Sequence, residues 1–379
     1  MSLKDAVRIG IEPESSRQPR PPVTEKEKEL AQIPKYKPEV DLIFFSHIHK
    51  TSGTSLSMLL DKLFSANVTV PTSHAWKGLQ KQELVGHDAG WWDPYQVMYS
   101  HDRPNVTDEI GMPSTKQPRL LLVVRNPLLH KASIYFESVC RYGLHIKDGV
   151  IDQEEATQAR VGNRNGGKIF SFCRDPNMWV GSPQFTAIYR NFQSLWLSYG
   201  GAERHPCIKP DLQKSHWDTK ANSTEGSCKE LKEEGLDQQI WEDFYERSAD
   251  AAIRRLEGAL WVGVTERMVE ASCLLLLTLG KTFQPVPKYR FKQPRPFTVW
   301  NETSIEKEAR LEQPDWRVFE AANDILDLRL WAARERLMGA ETEYRDLLGP
   351  CYDVLAGTGN ISAASVTSDH APFRGLRAP

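Results

Sequence analysis

The sequence predicts an α/β fold with a central, mostly parallel sheet flanked by helices. Three observations carry that expectation. Unbroken apolar runs recur at 42–45 (LIFF), 119–124 (RLLLVV) and 259–264 (ALWVGV), the pattern of strands buried on both faces. Each run is followed by a segment of helical spacing or composition, as parallel strand connections require. Polar or charged residues stand where the runs end, at Ser46-His47, Arg125-Asn126 and Thr265-Glu266.

In chain order, residues 1–38 are rich in charge and proline without apolar period, and read as a disordered or loosely attached arm. A single domain is expected over 39–353. The run at 41–46 is its first strand. A helix over 55–64 follows, with Leu56, Leu59, Leu60 and Leu63 on one stripe. Residues 97–100 form a short strand ending at His101. The strand at 119–124 is stopped by Asn126-Pro127, and a helix follows over 129–139. Residues 143–180, which include GNRNGGK, and the polar stretch 200–237 read as inserts. Helices are expected at 183–199 and 241–256, a third buried strand at 259–264, and its helix at 266–279. Residues 285–298 are proline-rich and basic, 315–338 is a long amphipathic helix, and 354–379 is a flexible tail.

Composition limits the function. The net charge of −2 argues against a nucleic-acid binder held by bulk positive field, so an anionic ligand needs a local cluster. The apolar stretch 271–279 is too short to span a bilayer and reads as a buried helix. The first 22 residues contain no signal-peptide core. Five N-x-S/T sequons, at Asn67, Asn105, Asn222, Asn301 and Asn360, point instead to the secretory pathway. Of the six cysteines, Cys207 and Cys228 flank a polar insert and are the first pair to test for a disulfide. Cys273, in an apolar helix, reads as a buried free thiol.

The chemistry starts at Lys50-Thr51-Ser52-Gly53-Thr54-Ser55, between a buried strand and a helix. A glycine there permits tight curvature, successive N–H groups converge, and the helix dipole favours an anion. Thr and Ser hydroxyls add donors and Lys50 adds charge. A plain N-capped helix is the simpler reading of the same residues. An ATP-hydrolysing loop needs the lysine after its second glycine, whereas here the lysine precedes the glycine. A second element is Arg125-Asn126-Pro127 with Ser133, in which an arginine fork and a hydroxyl suit a second phosphate.

These motifs together resemble the membrane-type carbohydrate sulfotransferases, the group that includes the heparan sulfate 2-O- and 6-O-sulfotransferases. HIHKTSGTS at 47–55 is similar to the family's HIxKTxxTS, and RNPLLHKAS at 125–133 to its RDPxxRxxS. WVGVTERMVEASCLLL at 261–276 and Asn191-Phe-Gln193 resemble two further segments, all in family order over about 41–340. Asn126 replaces the usual Asp, and His130 stands where Arg is frequent. The resemblance implies a P-loop NTPase-like sulfotransferase fold. It also implies 3′-phosphoadenosine-5′-phosphosulfate (PAPS) as donor, with Lys50 to Ser55 on the 5′-phosphosulfate and Arg125 with Ser133 on the 3′-phosphate. Lys288, Arg290, Lys292 and Arg295 lie where members close over the donor, and Arg290 and Lys292 are counted as donor-binding.

Transfer to a hydroxyl needs a base for the acceptor proton and positive charge on the departing oxygen. His101 is the expected base, with His87 as rival, and Lys50 the leaving-group stabiliser. No metal is expected. The expected function is O-sulfation of a carbohydrate acceptor, with no nucleic-acid partner. The resemblance and the sequons imply the Golgi lumen, with membrane association through an anchor that is not read in this chain. A soluble cytoplasmic protein is the alternative. Two other functions compete: a P-loop-type small-molecule kinase, which ATP and Mg²⁺ dependence would reveal, and a non-catalytic nucleotide- or glycan-binding module, which would bind the desulfated donor without turnover.

Overall fold

The computed structural model describes residues 19–71, 73, 79, 81–112, 115–135, 146–147, 150–151, 190–198, 237–284, 286–287, 302–358 and 367–368. Chain contacts divide the protein into two compact units. A sheet unit comprises Pro13–Arg125, Arg254–Gln293 and Phe319–Pro379, and a helical unit Met1–Glu12, Asn126–Ile253 and Pro294–Val318.

The sheet unit opens with a helix inside the expected arm, α1 (Glu25–Ala31). Its start is a capping box in which Thr24 Oγ1 accepts from Glu27 N at 3.2 Å and Glu27 Oε2 accepts from Thr24 N at 2.9 Å. Lys26 pairs with Glu257 at 2.6 Å, and Leu30 O accepts from Arg329 Nε at 3.3 Å. Periodicity missed this helix because about two turns, seven residues in all, carry little apolar pattern.

Strand β1 (Asp41–Ser46) is buried at all six positions, which requires cover on both sheet faces. The helix α2 (Gly53–Leu63) follows, then β2 (Val97–Ser100) and β3 (Gln117–Val124). The fourth strand, labelled β4 (Trp261–Val264), is entered much later in the chain. The sheet order is β2-β1-β3-β4 and every pairing is parallel, with Phe45 opposite Tyr99 on one side and Leu121 on the other, and Leu122 opposite Val262. Leu42, Phe44 and Met98 build one apolar cluster with Val70, Leu84, Trp92, Val106 and Ile110.

Strand β4 keeps its place through Trp261, whose Nε1 donates to Ala271 O at 2.8 Å. A Cβ on Gly263 would meet the Trp261 ring at 2.4 Å, so the glycine makes room for it. Arg329, on a long helix of residues 313–337, donates to Ala259 O at 3.0 Å and Leu260 O at 3.4 Å, at the entry to the strand.

Cys273 is bonded to Cys351, which corrects the expectation of a free thiol. The apolar helix carrying Cys273 (Met268–Leu279) packs against the helix Pro350–Ala356, which brings the two Cα atoms to 5.1 Å. The pair spans 78 residues, a distance that sequence spacing does not bridge. Cys207 and Cys228 lie outside the described residues. Beyond residue 354 the helix runs on to Ala356, and Thr367–Ser368 pairs with Val286–Pro287.

The helical unit holds the helices Pro127–Tyr135, Phe192–Ser198 and Glu302–Leu311, and the two-residue strand pair Ile146–Lys147 with Val150–Ile151. The rest of the 143–180 insert and all of 200–236 lie outside the described residues. Among the described residues, no helix is long and apolar enough to cross a membrane. Asn67 is exposed and Asn105 half-buried; the other three sequon asparagines lie outside the described residues.

Candidate functional site

In the sheet unit the chain passes from β1 to β2 on one side and from β3 to β4 on the other. The switch point is therefore between β1 and β3, where open parallel sheets bind ligands outside their C-terminal ends. Lys50 follows β1 and Arg125 follows β3, so both expected phosphate-handling residues flank this point.

The loop after β1 bends sharply. Lys50 and Ser52 both take left-handed conformations, at φ +67° and +63°. Ser52 is the N-cap of α2, but its side chain makes no capping bond. The first N–H groups of a helix lack the usual partner one turn back. At the start of α2 that of Ser55 is taken by Ser52 O at 3.0 Å, and those of Gly53 and Thr54 lie at the mouth of this bend. Lys50, Ser52, Thr54 and Ser55 are half-buried, whereas Thr51 is fully buried and its Oγ1 donates to Ile48 O at 2.9 Å. Thr51 thus uses its hydroxyl to fold the loop.

Arg125 ties the loop to β3. Its Nη1 donates to Lys50 O at 3.0 Å, and its Nε is 3.5 Å from Glu266 Oε1. Thr265 Oγ1 donates to Val124 O at 3.1 Å, and Arg267 pairs with Glu270 at 2.7 Å and Asp327 at 2.6 Å. The Thr-Glu-Arg triplet thereby ties the end of β4 to that of β3 and to the helix bearing Asp327. Glu266 as the partner of Arg125 was not anticipated, although both residues stand at strand ends.

His101 follows β2 and is held from two sides. Its Nδ1 is 3.0 Å from His47 O, and its ring lies 4.0 Å from the His47 ring, with planes 27° apart. The His49 ring is 5.5 Å from it. The backbone is fixed by His47 N donating to Ser100 O at 2.9 Å and Ser46 Oγ donating to Asp102 O at 2.7 Å. Asp102 also accepts from Leu79 N. With Nδ1 facing a carbonyl, the favoured neutral tautomer carries its proton on Nδ1 and its lone pair on Nε2. His87 is elsewhere: it is exposed, its Nε2 contacts Glu83 O at 2.9 Å, and its ring stacks on Trp91 at 3.9 Å, in the segment entering β2 from its other end.

In the helical unit, Asn126 Oδ1 accepts from Leu128 N at 3.1 Å and Leu129 N at 3.2 Å, so it caps the following helix as an aspartate would. His130 is buried with its ring 5.7 Å from Phe192. Ser133 is buried, and its hydroxyl has no partner among the described residues.

The same unit contains a polar core that sequence reasoning missed. Lys131, Glu308, Glu312 and Asp315 are each no more than 1% exposed. Lys131 Nζ is 2.8 Å from Glu312 Oε1 and 3.7 Å from Glu308 Oε2. Glu312 Oε2 accepts from Asn191 N at 2.9 Å, while Asp315 accepts from Gln193 N at 3.1 Å and Ser194 N at 2.7 Å. The Asn-x-Gln segment therefore contributes its backbone to a buried, carboxylate-capped helix start. Burial raises the Glu312 carboxyl to about 7 and Asp315 also shifts up. The available signal was the spacing of 308, 312 and 315, which puts three carboxylates near one face beside Leu311 and Trp316. Arg290 and Lys292 lie outside the described residues.

Compared with known families and characterised proteins, the chain matches no family model and no characterised sequence.

Proposed function

We propose that the chain is a PAPS-dependent O-sulfotransferase acting on a carbohydrate hydroxyl. The observation that carries this reading is the meeting of three strand ends. The left-handed loop with Lys50, the guanidinium of Arg125 on the Lys50 carbonyl, and His101 against His47 all lie at the C-terminal edge of one parallel sheet. The bent loop and the N-terminus of α2 suit the 5′-phosphosulfate, with Lys50, Ser52, Gly53, Thr54 and Ser55 as its contacts. The 3′-phosphate is assigned to Arg125 and Ser133 from the sequence motif alone.

In the proposed reaction the acceptor hydroxyl attacks sulfur in line with the bridging oxygen. Its proton passes to His101 Nε2 as the new O–S bond forms. The bond from sulfur to the bridging oxygen breaks, and that oxygen's electron pair departs on the 5′-phosphate. Lys50 offsets the negative charge that develops there. The half-buried setting of the loop makes that charge more effective than it would be in bulk water.

The test is donor-dependent transfer across a panel of glycans, scored by the mass of one added sulfuryl group. Lys50→Ala and His101→Ala are each expected to lower turnover by on the order of 10²-fold or more. His101→Ala should still bind the desulfated donor in calorimetry, and His87→Ala should transfer as the parent does. ATP-dependent phosphorylation in place of sulfation, or full turnover in His101→Ala, would overturn the respective assignments.

A further inference from the structure

His47 takes no part in the chemistry proposed above, yet its ring touches both groups that do. It is 4% exposed. A Cβ placed on Gly53 would lie 1.8 Å from His47 Cδ2 and 2.1 Å from Nε2, so this ring occupies the space that any side chain at 53 would need. The same ring is 4.0 Å from that of His101 and 5.6 Å from that of Phe45, which lies at 18° to it. Its backbone carbonyl meets His101 Nδ1 at 3.0 Å. One residue thus contacts the donor loop through Gly53, and the base through both ring and carbonyl.

Close-packed interiors transmit displacement because they have little void to absorb it. A flat ring with two torsions, wedged between a backbone and a second ring, behaves as a spacer. We propose that His47 is a positioning residue that sets the distance and tilt of the His101 ring relative to the loop of residues 50–55. This inference rests on the proposed roles of that loop and of His101. It gives glycine at 53 a reason beyond anion binding: it lets the loop seat directly on the spacer. It also accounts for histidine at 47, a flat side chain small enough to lie against a bare Cα while still reaching the base.

Removing the ring should leave the donor site in place and misplace the base. A misplacement of about 1 Å costs on the order of 10²-fold in turnover. The experiment measures kcat, donor KM and calorimetric binding of the desulfated donor for wild type and His47→Gly. It repeats the kinetics of the variant with added imidazole, and with pyrazole, a flat five-membered ring of far weaker basicity. The expected result is a fall in kcat on the order of 10²-fold, donor affinity within about threefold, and partial recovery with either ring. Undiminished kcat, or recovery by imidazole alone, overturns the spacer role, the second because it would make His47 a proton carrier. Weakened donor binding at normal kcat overturns it as well, since His47 would then serve only the loop.

His47→Phe keeps a ring in place should His47→Gly not fold. Turnover within about tenfold of wild type supports the spacer, and a loss equal to that of His101→Ala overturns it. Absence of donor-dependent transfer in the wild type refutes the function itself and takes the spacer with it. Wild-type activity with an undiminished variant refutes the spacer alone.

Discussion

Lys50 and Ser52 adopt a conformation that costs a residue with a Cβ about 1–2 kcal/mol. Such strain persists where surrounding contacts hold it, and here the Lys50 carbonyl is held by Arg125. Glycine at 52 would remove the steric cost but would lose more chain entropy on folding. We therefore expect Ser52→Gly to raise stability by only about 0.5–1 kcal/mol in denaturant titration. Donor affinity should fall in the same variant, through the lost hydroxyl and a looser loop. At this scale the candidate site was partly legible. Arg125 stands out at the end of an apolar strand, Lys50 in the strand–loop–helix motif, and His101 after the short strand VMYS, where the family resemblance implies a catalytic histidine. Thr51 was assigned a ligand-facing hydroxyl from its residue type, and only the backbone path reveals that the group turns inward to Ile48. The contact between His47 and Gly53 depends on a close approach that spacing along the chain does not encode.

Among elements, the helix Phe192–Ser198 begins in a buried setting where its N–H groups find Glu312 and Asp315 instead of water. Among the described residues, three carboxylates there face one ammonium, Lys131, while Arg190 and Tyr245 lie nearby. Arg190 donates to Leu311 O at 3.3 Å and stacks on Tyr245, whose hydroxyl is pushed up to about 12, chiefly by burial. Burial, with further push from the neighbouring carboxylates, lifts Glu312 from an ordinary value of 4.5 to about 7, against the pull of Lys131.

A carboxyl whose folded value lies above its unfolded one takes up a proton on folding. Its stabilising contribution is complete below about 4.5 and is lost as pH rises through about 7. Asp315, also shifted up, acts with the same sign. Glu312→Gln should therefore flatten the decline in melting temperature of the parent between pH 5 and 8. The difference at the upper end is on the order of 2–3 kcal/mol. An unchanged pH profile would show that Glu312 is ionised throughout. The strands were readable because apolar runs announce burial on both faces. This polar core was not, because charged residues read as solvent-facing unless their partners, here far apart in the chain, are known.

For the molecule as a whole, the Cys273–Cys351 bond closes a span of 78 residues within the sheet unit. In the chain-entropy account such a closure contributes about 4 kcal/mol by restricting the unfolded chain. Cys351→Ser should lower the denaturation midpoint accordingly, and reduction of the parent should reproduce the loss. Both sulfurs are buried, so alkylation of the native, unreduced protein should leave them unlabelled. Bonds of this kind persist in oxidising compartments and are reduced in the cytosol.

The sheet order has a consequence for the growing chain. Strand β3 ends at Val124, yet its neighbour begins only at Trp261. A ribosome adding about 5–20 residues per second needs roughly 7–30 s to supply that neighbour. Until then the nascent sheet presents the open edge of residues 121–124, Leu-Leu-Val-Val, as a template for the wrong partner. The ion pair of Arg125 with Glu266 likewise forms only after synthesis has passed the whole intervening stretch. Chains stalled before residue 261 should aggregate, and slower translation across 125–260 should lower the yield of folded protein unless a chaperone guards that edge.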